Sequence, residues 1–379
     1  MYTPSKRIEY LDSIRGLAAL FVLLSHTVGA FAWSDNYCRF FALPFVSICF
    51  NGPEAVAMFF LLSGFVLARP YIPDESSGRV VRRIFLPTFY LRRFIRIWLP
   101  WFFVFLLSIL ARKLFFSQPP TVPPITAWLS HFWHAPLTLG DFLRQCVFQL
   151  HDAKRLLLNQ DWSLGVELKG SILVPLFIFL SIRKRTPFLW MVSVFFLVCV
   201  GTGHYYIIFI AGVLIARFEK RLDTVFAESS PPARLGIFLV GLTFYQGLGF
   251  LTQSLGDDPW VTKVGWLITG SGCAVILISA LGSSFIQKLL LHPWLVLLGR
   301  ISYSVYLLQF IFILCLLPEM ISLLNRLGIF QEIILCPATI LTSVVATVIS
   351  SLTVYRVVEL PAIALGHNLT KRVQARFEK

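Results

Sequence analysis

The chain has 379 residues, of which 57% are hydrophobic and only 14% charged, with a formal net charge of +14. A composition this apolar excludes a soluble domain carrying a single anchor and defines a polytopic membrane protein. In a soluble protein the positive balance would point to nucleic acid; here it is what the positive-inside rule asks of cytoplasmic loops, and no nucleic-acid partner is expected.

The first apolar run, residues 13–32, contains Arg15 and His26. Eleven residues at about 100° and about 1.5 Å each make three turns plus roughly 20°, so the two share one helix face about 16 Å apart. One falls near a membrane surface and the other nearer the middle. Ionisable side chains in lipid cost kilocalories, so two aligned on one face point to a polar pathway. The plainer alternative is an anchor with an interfacial arginine and a core histidine. Lys6 and Arg7 before the run, with Ala30-Phe31-Ala32 at its end, imitate a signal peptide. Ser25-His26-Thr27 interrupts the run and the rest of the chain is equally apolar, so the span is expected to be retained.

Nine further apolar runs follow, at 53–69, 95–111, 163–182, 187–201, 204–217, 235–251, 264–281, 301–318 and 332–355. They predict an all-α membrane protein of about ten transmembrane helices. Alternating the loops between two sides puts roughly three times as many Lys and Arg on one side as on the other, which predicts cytoplasmic termini. The membrane domain is read as residues 1–366, followed by a basic cytoplasmic tail, 367–379. No repeated halves of the transporter kind stand out.

Two connections are long. The cytoplasmic one, Arg69 to Arg96, is rich in arginine, with Arg79, Arg82 and Arg83 reading as lipid-headgroup contacts or topology signals. The outer one, Arg112 to Asp161, opens on Pro119, Pro120, Pro123 and Pro124 and continues with Trp128, His131, Phe132, Trp133 and His134. Aromatic residues at that density predict a segment in the headgroup layer that forms a lid over the outer mouth. His131, His134, Asp141 and His151 lack a tight ligand pattern, and the cysteines are scattered without CxxC spacing, so no metal site is expected.

Four groups carry further chemistry. Ser63 and Gly64 in the second run fall near mid-membrane, where small residues admit either a thin ligand or another helix. Arg93 and Arg96 share a face just before a span containing Trp98 and Trp101, and arginine forks suit a phosphate-bearing donor at the inner mouth. Glu167 lies about 7 Å below the outer surface and His26 about 9 Å below it, so the two are expected to meet. A carboxylate beside an imidazole orients the ring and makes it a general base. Tyr303, Tyr306 and Gln309, at intervals of three, form a polar stripe that either lines a channel or bonds helices together.

Together these segments resemble the acyltransferase-3 family of integral-membrane acyltransferases. The likeness rests on Arg15 with His26, on Phe59 to Phe65, on Arg93-Phe94-Ile95-Arg96, on Trp162-Ser163-Leu164-Gly165-Val166-Glu167 and on Gly299 to Leu307, in the family's order. The resemblance implies a ten-helix enzyme of the cytoplasmic (in bacteria, inner) membrane that moves an acyl group, commonly acetyl, from cytoplasmic acyl-CoA to a hydroxyl of a cell-envelope saccharide. It implies that Arg15, Arg93 and Arg96 hold the donor and that His26 is base or transient acyl carrier. Ser63, Gly64, Trp162, Ser163, Tyr303, Tyr306 and Gln309 would line the pathway, with no permanently bound cofactor. The chain departs from the family where Leu168 to Ser171 replace a second glutamate and an aromatic pair, and where Gln309 replaces a frequent histidine. No hydrolase-like domain follows, which leaves direct transfer or a periplasmic partner protein. The rival class is a proton-coupled transporter or flippase with a path through His26, Glu167 and Lys169.

Overall fold

The computed structural model describes residues 8–377 apart from 73–84, 117–122, 124, 134, 150–154, 182–184 and 257. It is 85% helical, with no strand among the described residues. Apolar runs in lipid become helices because each helix satisfies its own backbone polar groups. In chain order these are α1 (Glu9–Gly29), α2 (Asp35–Ala42), α3 (Pro44–Ser47), α4 (Gly52–Ala68), α5 (Leu86–Phe115) and α6 (Leu139–Cys146). Then come α7 (Asp161–Ser181), α8 (Thr186–Cys199), α9 (Gly203–Glu228), α10 (Pro231–Tyr245), α11 (Gly247–Leu255) and α12 (Pro259–Gly282). The last five are α13 (Ser284–Leu290), α14 (Pro293–Ile311), α15 (Leu317–Arg326), α16 (Glu332–Val354) and α17 (Leu360–Phe377).

Seven helical runs among the described residues are long and apolar enough to cross a membrane, and α10 with α11, bent by 45°, makes an eighth if taken as one span. The sequence count of about ten is not reached, for two physical reasons. The run at 187–201 yields only α8, which is too short. The run at 204–217 continues as α9 through Glu219, Lys220, Arg221 and Asp223, a polar second half that lowers its hydropathy. Arg79, Arg82 and Arg83 lie outside the described residues.

Two of the spanning runs contain a π turn. Phe312–Leu316 joins α14 to α15, and Tyr355–Glu359 joins α16 to α17. Each ends two residues before a proline, Pro318 and Pro361. Proline lacks the N–H that would close the preceding turn and its ring crowds the carbonyl four residues back, so a widened turn relieves both conflicts.

The chain divides into two compact units. The first comprises Met1–Ala18, Pro53–Leu86 and Lys169–Arg300. Within it α12 lies against α9, α10 and α11. Helices α4 and α9 approach closely: a Cβ at Gly64 would sit 2.2 Å from the Phe209 carbonyl oxygen, and one at Gly212 2.2 Å from that of Leu61. Gly64 therefore packs two backbones together, the helix-packing alternative that its sequence left open. Gly16 and Gly299 do the same for α1 and α14, where a Cβ at Gly16 would lie 2.5 Å from the Gly299 nitrogen. Gly212→Ala is expected to force α4 and α9 apart at a cost of about 1–3 kcal/mol. The loss should appear as a lower midpoint of thermal denaturation in detergent. Gly236→Ala, where a Cβ meets nothing within 4 Å, is the control.

The second unit comprises Ala19–Gly52, Pro87–Leu168 and Ile301–Lys379. Its core is strongly aromatic, with Phe31, Trp101, Phe105, Trp133 and Phe310 fully buried. The buried hydroxyls of Thr27 and Ser343, 2.7 Å apart, tie α1 to α16.

Candidate active site

His26 lies in the last turns of α1 and belongs to the second unit. Its Nδ1 is 3.0 Å from Oε1 of Gln309. The Gln309 amide is fixed in that orientation because its Nε2 donates to the Tyr306 carbonyl at 2.9 Å. Oε1 can only accept, so Nδ1 carries the proton and Nε2 the lone pair. Nε2 has no protein partner among the described residues. Trp128 stacks on the ring at 5.5 Å between centroids and 22° between planes, and Phe310 meets it edge-on at 5.0 Å. The imidazole is thus a ring held by aromatic walls, tautomerically set, with one nitrogen left to act.

The expected partner of His26 was Glu167. Instead the Glu167 carboxylate pairs with the Arg93 guanidinium, while a neutral amide orients the histidine. Depth arithmetic carried no information on which neighbour each would choose. Arg96, one turn on from Arg93, is exposed. Arg15 belongs to the first unit and lies 3.8 Å from Asp12.

The polar stripe of α14 bonds helices together. The Tyr303 hydroxyl donates to the Ile97 carbonyl of α5 at 2.6 Å. Ser163 Oγ donates to the Gln160 carbonyl at 2.8 Å, so the Tyr306 hydroxyl, 2.6 Å away, donates to Ser163. The Gln160 amide donates to the Tyr306 and Leu307 carbonyls at 3.0 and 2.7 Å. Asp161 accepts from the Trp101 indole at 2.7 Å. Ser304 donates to Glu359, a buried carboxylate in the second π turn, at 2.9 Å. Trp162 is 37% exposed, whereas Ser163 beside it is buried. Ser63 is buried in the first unit.

Gln160, Asp161 and Glu359 were not singled out in the sequence. Gln160 and Asp161 sit at the mouth of a span, where polar residues are ordinary. Glu359 follows the last apolar run beside Arg356, which hid it among loop charges.

The connection between α5 and α7 covers the histidine as its aromatic content suggested. Thr126 donates its hydroxyl to the Gly29 carbonyl at 2.8 Å and its N–H to that of Ala30 at 3.0 Å, and Phe31 and Ile125 form a β-bridge. These contacts clamp the connection to the end of α1 and hold Trp128 over His26. Farther along, Thr138 and Asp141 form a reciprocal capping box at the start of α6, and Arg155 pairs with Asp141 at 3.1 Å. His134 and His151 lie outside the described residues.

The hydroxyl and N–H of Thr138, and then Arg155, hold the Asp141 carboxyl below its ordinary value. A carboxyl depressed on folding stabilises the fold above its unfolded pKa, about 3.9, and loses that contribution as pH falls through the folded value. Amide exchange in α6 is therefore expected to accelerate below about pH 4. Asp141→Asn should bring that faster exchange to neutral pH and flatten its dependence on acid.

The long apolar helices define a multi-pass integral-membrane protein, and the imidazole held by Gln309 is its candidate general base. Residues 8–355 match the acyltransferase domain that defines the acyltransferase-3 family. The chain belongs to that family and is an integral-membrane acyltransferase. No curated protein and no solved structure matches it.

Proposed function

We propose that the protein is an O-acyltransferase that takes an acyl group, most simply acetyl, from cytoplasmic acyl-CoA and places it on a hydroxyl of a cell-envelope saccharide. The observation that carries this reading is the free Nε2 of His26, set by Gln309 as a proton acceptor. The acceptor O–H bond breaks with its proton passing to Nε2 while its oxygen attacks the acyl carbon. The C–S bond of the thioester breaks and the departing thiolate takes up a proton. The same nitrogen would serve if His26 carried the acyl group transiently. Arg93, steadied by Glu167, and the exposed Arg96 suit the donor's phosphates by their forked geometry. Arg15 is assigned to the donor by the family motif alone.

The charge bias between loops supports cytoplasmic termini and, for a bacterial host, the inner membrane. Deleting the gene in its host and comparing ester-linked acyl groups on purified envelope glycans by mass spectrometry and NMR tests the assignment. Loss of one class of ester is expected, and an unchanged ester pattern contradicts it.

A further inference from the structure

The second unit holds two buried acceptor atoms that the network above leaves unused. Gln160 Oε1 and Asp161 Oδ2 have no hydrogen-bond partner among the described residues, and the two residues are only 1% and 2% exposed. An amide flip does not rescue Gln160, because both partners of its Nε2 are carbonyl oxygens that need a donor. Asp161 uses its other oxygen for the Trp101 indole. Buried polar atoms left unpaired are costly, so two in succession mark a place where something else supplies partners.

Their position relates them to the reaction centre. The Gln160 amide and the Gln309 amide both bond the Tyr306 carbonyl, and Gln309 holds His26. His26 Nε2 is itself an open acceptor. His26 and Gln160 thus belong to one polar network, and Asp161 adjoins Gln160 in the chain. Phosphates and carboxylates bring acceptors rather than donors and would bury a negative charge, so they are disfavoured here. A polyol brings several donors and no charge.

We propose that Gln160 and Asp161 receive the acceptor substrate, binding two hydroxyl groups of a neutral saccharide while a neighbouring hydroxyl reaches His26. The Trp101 indole orients Asp161 by holding Oδ1, so that Oδ2 is the atom offered. Phe148 closes over this corner, with its ring 4.7 Å from that of Trp101. Its φ of 55° is a left-handed conformation that a bulky aromatic residue seldom adopts. A segment held in that form by its surroundings is suited to lifting when substrate enters.

This inference rests on the transferase reading for the identity of the occupant, so its test uses binding without turnover. Host envelope glycan fragments, freed of esters by mild base, are titrated by calorimetry into the full chain in lipid nanodiscs. No acyl-CoA is present. Asp161→Asn keeps an oxygen for Trp101 but replaces Oδ2 with a donor. Its affinity is expected to fall about 10- to 100-fold, the effect of leaving a buried polar group without its partner. Gln160→Glu, which keeps an acceptor at Oε1 but gives up the amide donor, reports on the support from the α14 carbonyls and is expected to weaken binding too. Carboxylated fragments of the same glycan should bind more weakly than neutral ones. Equal binding by wild type and Asp161→Asn overturns the proposal, as does failure of the wild type to bind or a preference for the carboxylated fragments. Normal binding with no acyl transfer on adding acyl-CoA would count against the enzyme reading and leave the binding site standing.

Discussion

Acyl transfer by His26→Ala is expected to fall about 100- to 10,000-fold, the usual contribution of a positioned general base, with little change in folding. The reason is geometric. Only Nε2 of this ring is open, and Gln309 fixes it as the acceptor by occupying Nδ1. Alanine removes the acceptor while leaving the walls formed by Trp128 and Phe310. His26→Gln is the informative companion, because it restores polarity without a group able to take up a proton near neutral pH. If either variant transferred acyl groups at the wild-type rate in purified form, the base would have to be sought elsewhere.

Gln309→Leu should lower the rate by about 10- to 100-fold, since it leaves the Nδ1 proton without its acceptor at a cost of about 1–3 kcal/mol and frees the ring to change tautomer. Gln309→Glu keeps an oxygen facing Nδ1 and is expected to retain most of the activity. A purely structural role would predict the reverse order, because Leu suits the apolar surroundings of α14 whereas Glu adds a buried charge. Steady-state rates for the pair, with thermal denaturation measured alongside, separate the two accounts.

Legibility in the sequence followed the range of the interaction concerned. The all-helical membrane architecture was readable because hydropathy is a local property. The segment of Trp128 stood out by its aromatic density, and Trp128 stacks on His26. The partners were not readable. Gln309 stands 283 residues from His26 and was read in the sequence as part of the α14 polar stripe and as a departure from a frequent histidine, not as the partner of His26. Glu167 was matched to His26 by depth, yet Arg93 lies nearer and forms a charge-assisted pair.

The small residues divide in an instructive way. Ser63 and Gly64 sit together in the sequence, where small residues admitted either a thin ligand or another helix. The structure shows that the glycine serves close contact with α9, a contact decided by Gly212, nearly 150 residues away in the chain and unremarkable on its own. The number of spans suffered for a related reason. A helix such as α9 starts apolar and ends charged, and a run of hydrophobic residues does not reveal where the helix containing it will stop.

The most direct test places the purified protein in sealed lipid vesicles, with radiolabelled acetyl-CoA on the side facing the chain termini and ester-free host glycan on the other. Ester-linked label should appear on the glycan with wild-type protein and drop to background with His26→Ala. An unlabelled glycan with wild-type protein, or equal labelling by the two proteins, would contradict the account.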